Sequence, residues 1–258
     1  TVTGAKPPPL RPDALVLEST YGGRLHANRA AEEARLVETI SEVVAAGGKV
    51  LVPAFALGRA QEVVLVLNAF RARGLLPEVP VWIDGMVRAV CGIYRAFPDD
   101  LSPALREAIE AGADPFLVGP TRAVEHAGQR EALLWEPGPA VIVSSSGMLA
   151  GGPSPQYARA LAGDARNAIL LTGYQDEEAP GRQLQEIAAR GEGSLKLGEQ
   201  RVKVRCRLGT YSLSAHADEG QLISLAEVLD PAEVFLVHGD EGARASLAAR
   251  LAERGRPV

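Results

Sequence analysis

Short apolar runs alternating with helix-period stretches constrain this chain most. Residues 14–17 (Ala-Leu-Val-Leu) read as a buried strand with Glu18 at its polar carboxyl end. The stretch that follows carries Ala31, Leu36, Ile40, Val43 and Val44 at near-helical spacing. Asn28 is placed to cap it and Gly47-Gly48 to end it. A strand over 49–52, a helix over 58–73 stopped by Gly74, a strand over 81–83 ending in Asp84-Gly85, and helices near 86–97 and 102–111 continue the pattern. Four further apolar strands are predicted at 115–118, 140–143, 168–172 and 234–237, each followed by a Gly- or Ser-rich turn. Such alternation predicts βαβ units, hence an α/β fold with a mainly parallel sheet flanked by helices and ligands at the carboxyl ends of strands. Residues 194–208 break the pattern. Leu195, Leu197, Val202, Val204 and Cys206 alternate with polar residues around Gly198-Glu199, which predicts an antiparallel hairpin and a candidate domain junction.

Composition narrows the function classes. The 258 residues suffice for one large domain or two modest ones. Two cysteines, Cys91 and Cys206, form no CxxC pair and no disulfide framework, so a reducing, cytoplasmic setting is expected. No apolar run approaches the ~18–20 residues of a membrane span, and no membrane partner is expected. The net charge of −5 argues against a general nucleic-acid coat protein, so a nucleic-acid site would be a local basic patch. The proline-rich opening, Thr1 to Pro9, reads as a connector within a longer protein.

The chemistry-bearing residues sit at element ends. His216 lies in Ser214-Ala215-His216-Ala217-Asp218, just before a helix predicted from about Asp218. His238 follows the strand 234–237, within Val237-His238-Gly239-Asp240, and Glu18 opens Glu18-Ser19-Thr20-Tyr21-Gly22. Two imidazoles and a carboxylate at such ends suit zinc, and a carboxylate-braced imidazole suits proton transfer. A histidine after a strand is also what an ordinary loop carries, and a Glu before Ser-Thr suits a helix start. His26 and His126 fall on charged segments and read as plain surface residues. Ser144-Ser145-Ser146-Gly147-Met148 after a strand could turn backbone N–H groups toward a phosphate, although neither GxxxxGK[ST] nor GxSxG occurs there. Arg59, at a helix start, could hold a phosphate or could be an ordinary surface arginine.

These stretches, with Pro53-Ala54-Phe55-Ala56-Leu57-Gly58-Arg59-Ala60-Gln61-Glu62 and Thr172-Gly173-Tyr174-Gln175, follow one another in an order that resembles the β-CASP branch of the metallo-β-lactamase-fold ribonucleases, from residue 18 to residue 240. The resemblance implies a β-CASP domain over 22–190, with 1–21 and 191–258 contributing the later part of a metallo-β-lactamase αββα domain. It gives Glu18 and His216 the roles of the family's paired catalytic carboxylate and histidine, with His216 as general acid. It makes His238 a zinc ligand and turns Arg59 and the Ser144, Ser145, Ser146, Gly147 turn toward RNA.

The implied activity is hydrolysis of RNA phosphodiester bonds with two zinc ions, in RNA processing or decay. Single-stranded RNA is the implied partner, with a homodimer also compatible. The departure is that the family's HxHxDH zinc motif does not occur before Glu18. The chain is therefore expected to be a fragment with an incomplete site, inactive alone, of a protein that is the enzyme. Two other readings compete: a non-catalytic RNA-binding or scaffold member of the same family, and an unrelated α/β nucleotide- or sugar-binding protein.

Overall fold

The computed structural model describes residues 7–256 and 258. The first six residues, which open the expected connector, lie outside the described residues. The elements run β1 (Ala14–Glu18), α1 (Arg29–Ala45), β2 (Lys49–Pro53), α2 (Arg59–Ala72), β3 (Val81–Asp84), α3 (Met86–Ala96), α4 (Pro103–Glu110), β4 (Thr121–Ala123), α5 (Ala127–Trp135) and β5 (Ala140–Ser144). They continue with α6 (Ser154–Leu161), β6 (Ala168–Leu171), α7 (Pro180–Arg190), β7 (Ser194–Leu197), β8 (Gln200–Lys203), β9 (Arg207–Thr210), α8 (Glu219–Leu229), β10 (Glu233–Val237) and α9 (Glu241–Glu253). The described residues divide into a larger unit, Arg29–Leu213, and a smaller one built from residues 7–28 and those from Ser214 onward.

The larger unit is built on a six-stranded sheet in the order β4-β3-β5-β2-β6-β9, parallel at every pairing. All five residues of both β2 and β5 are buried, as central parallel strands require. Alternate residues serve opposite layers. Val50, Val52, Val141, Val143 and Leu170 pack with Leu36, Ile40, Val63, Val64, Leu67 and Val87 of α1, α2 and α3. Leu51, Ile142, Ile169 and Leu171 pack with Leu133, Tyr157, Leu161 and Leu184 of α5, α6 and α7. Each fully buried side chain of this kind contributes about 1.5–3 kcal/mol.

One polar knot fastens the second layer to the sheet. Asp84 at the end of β3 is 2% exposed and accepts two hydrogen bonds from Arg130 of α5, at 2.6 and 3.0 Å. It also accepts one from Tyr157 Oη of α6 at 2.8 Å. Burial and the Asp84 charge push the Tyr157 phenol far above its ordinary range.

The expected hairpin is present as antiparallel β7–β8, within the larger unit, and the chain passes to the smaller unit at 213–214. The predicted strand at 115–118 is not formed. Asp114 Oδ1 accepts from the backbone N–H groups of Phe116 and Leu117, at 2.9 and 3.1 Å, and bends the segment into a turn that buries the Phe116 side chain. The strand comes later, as β4. No described helix is long and apolar enough to cross a membrane.

The smaller unit holds the parallel pair β1–β10, with α8 and α9 packed on one face through Leu17, Val234, Leu222, Ile223, Ala226, Leu247 and Leu251. The other face is open: Val16, Phe235 and Val237 are 66%, 51% and 42% exposed.

Candidate metal and proton-transfer site

The register of β1 on β10 sets Glu18 opposite Val237, so Glu18 and His238 leave the pair at its carboxyl edge. His238 adopts a left-handed backbone, φ 51°, turning the chain out of β10 toward α9. Glycines make the surrounding turns passable. A Cβ on Gly239 would stand 2.6 Å from the Ser19 carbonyl oxygen, and one on Gly22 would stand 2.0 Å from that of Ala243. Ser19 Oγ donates to the Val237 carbonyl at 2.8 Å and ties the two turns together.

His216 arrives on the loop before α8. Asp218 caps that helix by accepting from Gln221 N–H, and Gln221 answers on the Asp218 backbone in a reciprocal capping box. The imidazoles of His216 and His238 stack with centroids 5.5 Å apart. His216 Nδ1 lies 3.2 Å from Glu18 Oε1. Partial burial raises the Glu18 pKa. The opposing effects together exceed that: hydrogen bonds from the Thr20 hydroxyl and backbone N–H, then the charge and hydrogen bond of His216. The carboxyl therefore ends below its ordinary value. Glu18 is thus ionised at neutral pH, able to accept but not to donate.

Two further residues build the site. Thr20 reaches the rings of both histidines. His26, read from the sequence as a plain surface residue, has Nε2 2.9 Å from the His216 carbonyl oxygen, donates its N–H to Asp218 Oδ2 at 3.0 Å and meets the Tyr21 ring edge-on at 4.5 Å. It pins the loop that carries His216. The other surface reading holds: His126 caps α5 by accepting from Gln129 N–H.

Glu18, His216 and His238 offer ligand atoms all within 4.8 Å of one another. Imidazole and carboxylate are donors of the kind zinc takes, and with His216 Nδ1 turned to Glu18 Oε1 the imidazole of His238 is the one left free for an ion. Three groups do not fill the coordination of a pair.

Arg59 and the serine turn belong to the larger unit. Arg59 is 7% exposed and ion-pairs with Glu62. Ser144 and Ser145 are buried at the carboxyl end of β5. Ser145 N–H donates to the Asp84 carbonyl at 3.4 Å and Ser146 N–H to that of Gly151 at 3.1 Å. Ser145 Oγ accepts from Met86 N–H, Ser146 Oγ accepts from Ala150 N–H, and the Gly147 carbonyl accepts from Gln175 Nε2. The turn's polar groups brace the loops after β3, β5 and β6.

Comparison with known proteins agrees with this architecture. Residues 60–184 match the Beta-Casp domain family, and residues 201–258 match the family described as Zn-dependent metallo-hydrolase RNA specificity domain. The chain belongs to the β-CASP family of the metallo-β-lactamase fold. Among its relatives, a Pyrococcus horikoshii protein named transcription termination factor FttA is 41% identical over 241 residues, covering 89% of this chain and 36% of its own. An RNase J-like protein of Methanocaldococcus jannaschii is 34% identical over 231 residues, covering 88% of this chain and 52% of its own. The chain thus spans between about a third and a half of the length of these β-CASP relatives.

Proposed function

We propose that the protein to which this chain belongs is a zinc-dependent ribonuclease that hydrolyses RNA phosphodiester bonds in RNA processing or decay. The observation that carries this reading is the convergence of an ionised Glu18 with His216 and His238 at one strand edge. His238 would hold zinc, which when bound supplies Lewis acidity and an activated water. The companion ligands would come from sequence outside this chain. His216, with Nδ1–H donated to Glu18, keeps Nε2 for delivering a proton to the departing oxygen. The Glu18 carboxylate steadies the imidazolium between turnovers. The side chain of His216 is 43% exposed, so water can return the proton. Single-stranded RNA is the proposed substrate. The carboxyl edge of the six-stranded sheet, with half-exposed Ser146, is the proposed RNA-facing surface of the larger unit.

The test uses protein expressed from the full reading frame, incubated with zinc and labelled single-stranded RNA. Wild type should cleave. His216→Ala should slow cleavage by about 10²-fold or more while keeping zinc, as loss of a general acid does. His238→Ala should lose both zinc and cleavage. A wild-type protein that binds RNA without cutting it would replace this reading with the scaffold one.

A further inference from the structure

Thr20 occupies the centre of the site. Its Oγ1 lies 3.0 Å from the His238 carbonyl oxygen, 3.0 Å from His238 Nδ1 and 3.5 Å from His216 Nδ1. Its backbone N–H donates to Glu18 Oε2 at 2.8 Å. A hydroxyl has one proton and two lone pairs. The oxygen that approaches this one, the His238 carbonyl, has no proton to give and accepts from it. The single hydroxyl proton is therefore committed to an oxygen and cannot also go to an imidazole. His238 Nδ1, 3.0 Å away, must bring its own proton and donate it to Oγ1. A neutral imidazole protonated at Nδ1 carries its lone pair on Nε2.

We infer that Thr20 is a positioning residue that locks His238 in the Nδ1–H tautomer and presents Nε2 as its metal-binding atom. The hydroxyl acts through His238 and does not touch the reacting atoms. Its place is fixed on both sides, by the Ser19 Oγ bond to Val237 and by its own N–H on Glu18. A metal-ligating histidine whose second nitrogen is braced in this way holds its ion more tightly than an unbraced one. The metal consequence rests on the proposed role of His238, whereas the tautomer does not.

The experiment is long-range ¹⁵N–¹H correlation spectroscopy of the histidine rings of the 258-residue chain at pH 8, with the four histidines assigned by single His→Gln variants. The expected wild-type result is protonated Nδ1 and unprotonated Nε2 on His238. Thr20→Val should abolish that tautomer preference and Thr20→Ser should restore it. Zinc titration of protein expressed from the full reading frame, against a chromophoric chelator, should show affinity falling about tenfold in T20V and holding within about twofold in T20S. A wild-type His238 protonated at Nε2 overturns the inference, even if T20V fails to fold. So does a T20V protein with unchanged spectrum or unchanged zinc affinity. Failure of the full-length protein to cut RNA would instead overturn the proposed function and leave the tautomer as measured.

Discussion

The six-stranded sheet of the larger unit is covered by helices on both faces, whereas the β1–β10 pair of the smaller unit is covered on one. Parallel strands ordinarily bury both faces, and a two-stranded sheet is marginal by itself. The larger unit completes its own core and spends its polar groups on bracing it. The smaller unit brings Glu18, His216 and His238 together and leaves Val16, Phe235 and Val237 in solvent. The buried polar bracing and the converging candidate site residues thus lie in different parts of the chain. The two can be watched separately, because both tryptophans, Trp82 and Trp135, lie in the larger unit, while His26, His216 and His238 lie in the smaller.

The strongest test of that division is Asp84→Ala. It strips the carboxylate, itself buried, from a partly exposed, doubly bonded arginine and a buried tyrosine hydroxyl. Removing one partner of a fully buried pair costs about 3–5 kcal/mol, which is the upper bound here because Arg130 keeps some access to water. Urea unfolding followed by tryptophan fluorescence should record that loss, while the ring signals of His216 and His238 stay where they were. If the histidine signals disperse together with the fluorescence change, the two units unfold as one and the comparison fails.

A smaller effect separates a finished face from an unfinished one. Phe235 is half exposed in this chain, so Phe235→Ala should cost under about 1 kcal/mol, as surface changes do. In protein expressed from the full reading frame, with the face covered, the same substitution should cost about 3 kcal/mol, the usual scale for a buried phenylalanine. Equal small losses in both proteins would mean that nothing packs on β1–β10.

The same division governs what the sequence discloses. β2, β5 and β6 announce themselves as unbroken apolar runs because both their faces are buried. β4 (Thr-Arg-Ala) and β9 (Arg-Leu-Gly-Thr) lie at the sheet's edges, where one neighbour suffices and no period is imposed. The apolar 115–118 run misleads because Asp114 offers its backbone a better set of hydrogen bonds than a strand would. Glu18, His216 and His238 stand out as polar residues at the ends of regular elements. Thr20 and His26 do not. Their contacts with His216 and His238 span 190 or more residues, and only the return of α8 and β10 to β1 makes them. Arg59 shows the converse: a helix-start arginine looks available in sequence, and its burial against Glu62 is visible only in three dimensions.

The finest distinction is chemical. Both cysteines sit in the larger unit, one in each layer beside its sheet, and burial pushes their thiols up from 9.0, Cys91 to about 11 and Cys206 to about 12. A raised folded-state pKa means that the native state keeps protons which the unfolded chain releases. That stabilisation is complete below about pH 9 and is lost as pH climbs through the folded values. Lys49 works in the opposite direction, because burial lowers its pKa and the native state holds fewer protons than the unfolded one. A comparison with Cys206→Ala removes Lys49 and every other shared group from the difference. Between pH 8 and pH 10, wild type should lose about 1 kcal/mol more stability than C206A, read by the same tryptophan transition. The smaller unit contains no cysteine, so its histidine signals should show no such difference between the two proteins. Parallel stability curves for wild type and C206A over that interval would show that the thiol reaches water in the native state, and that the second core layer is less closed than the first.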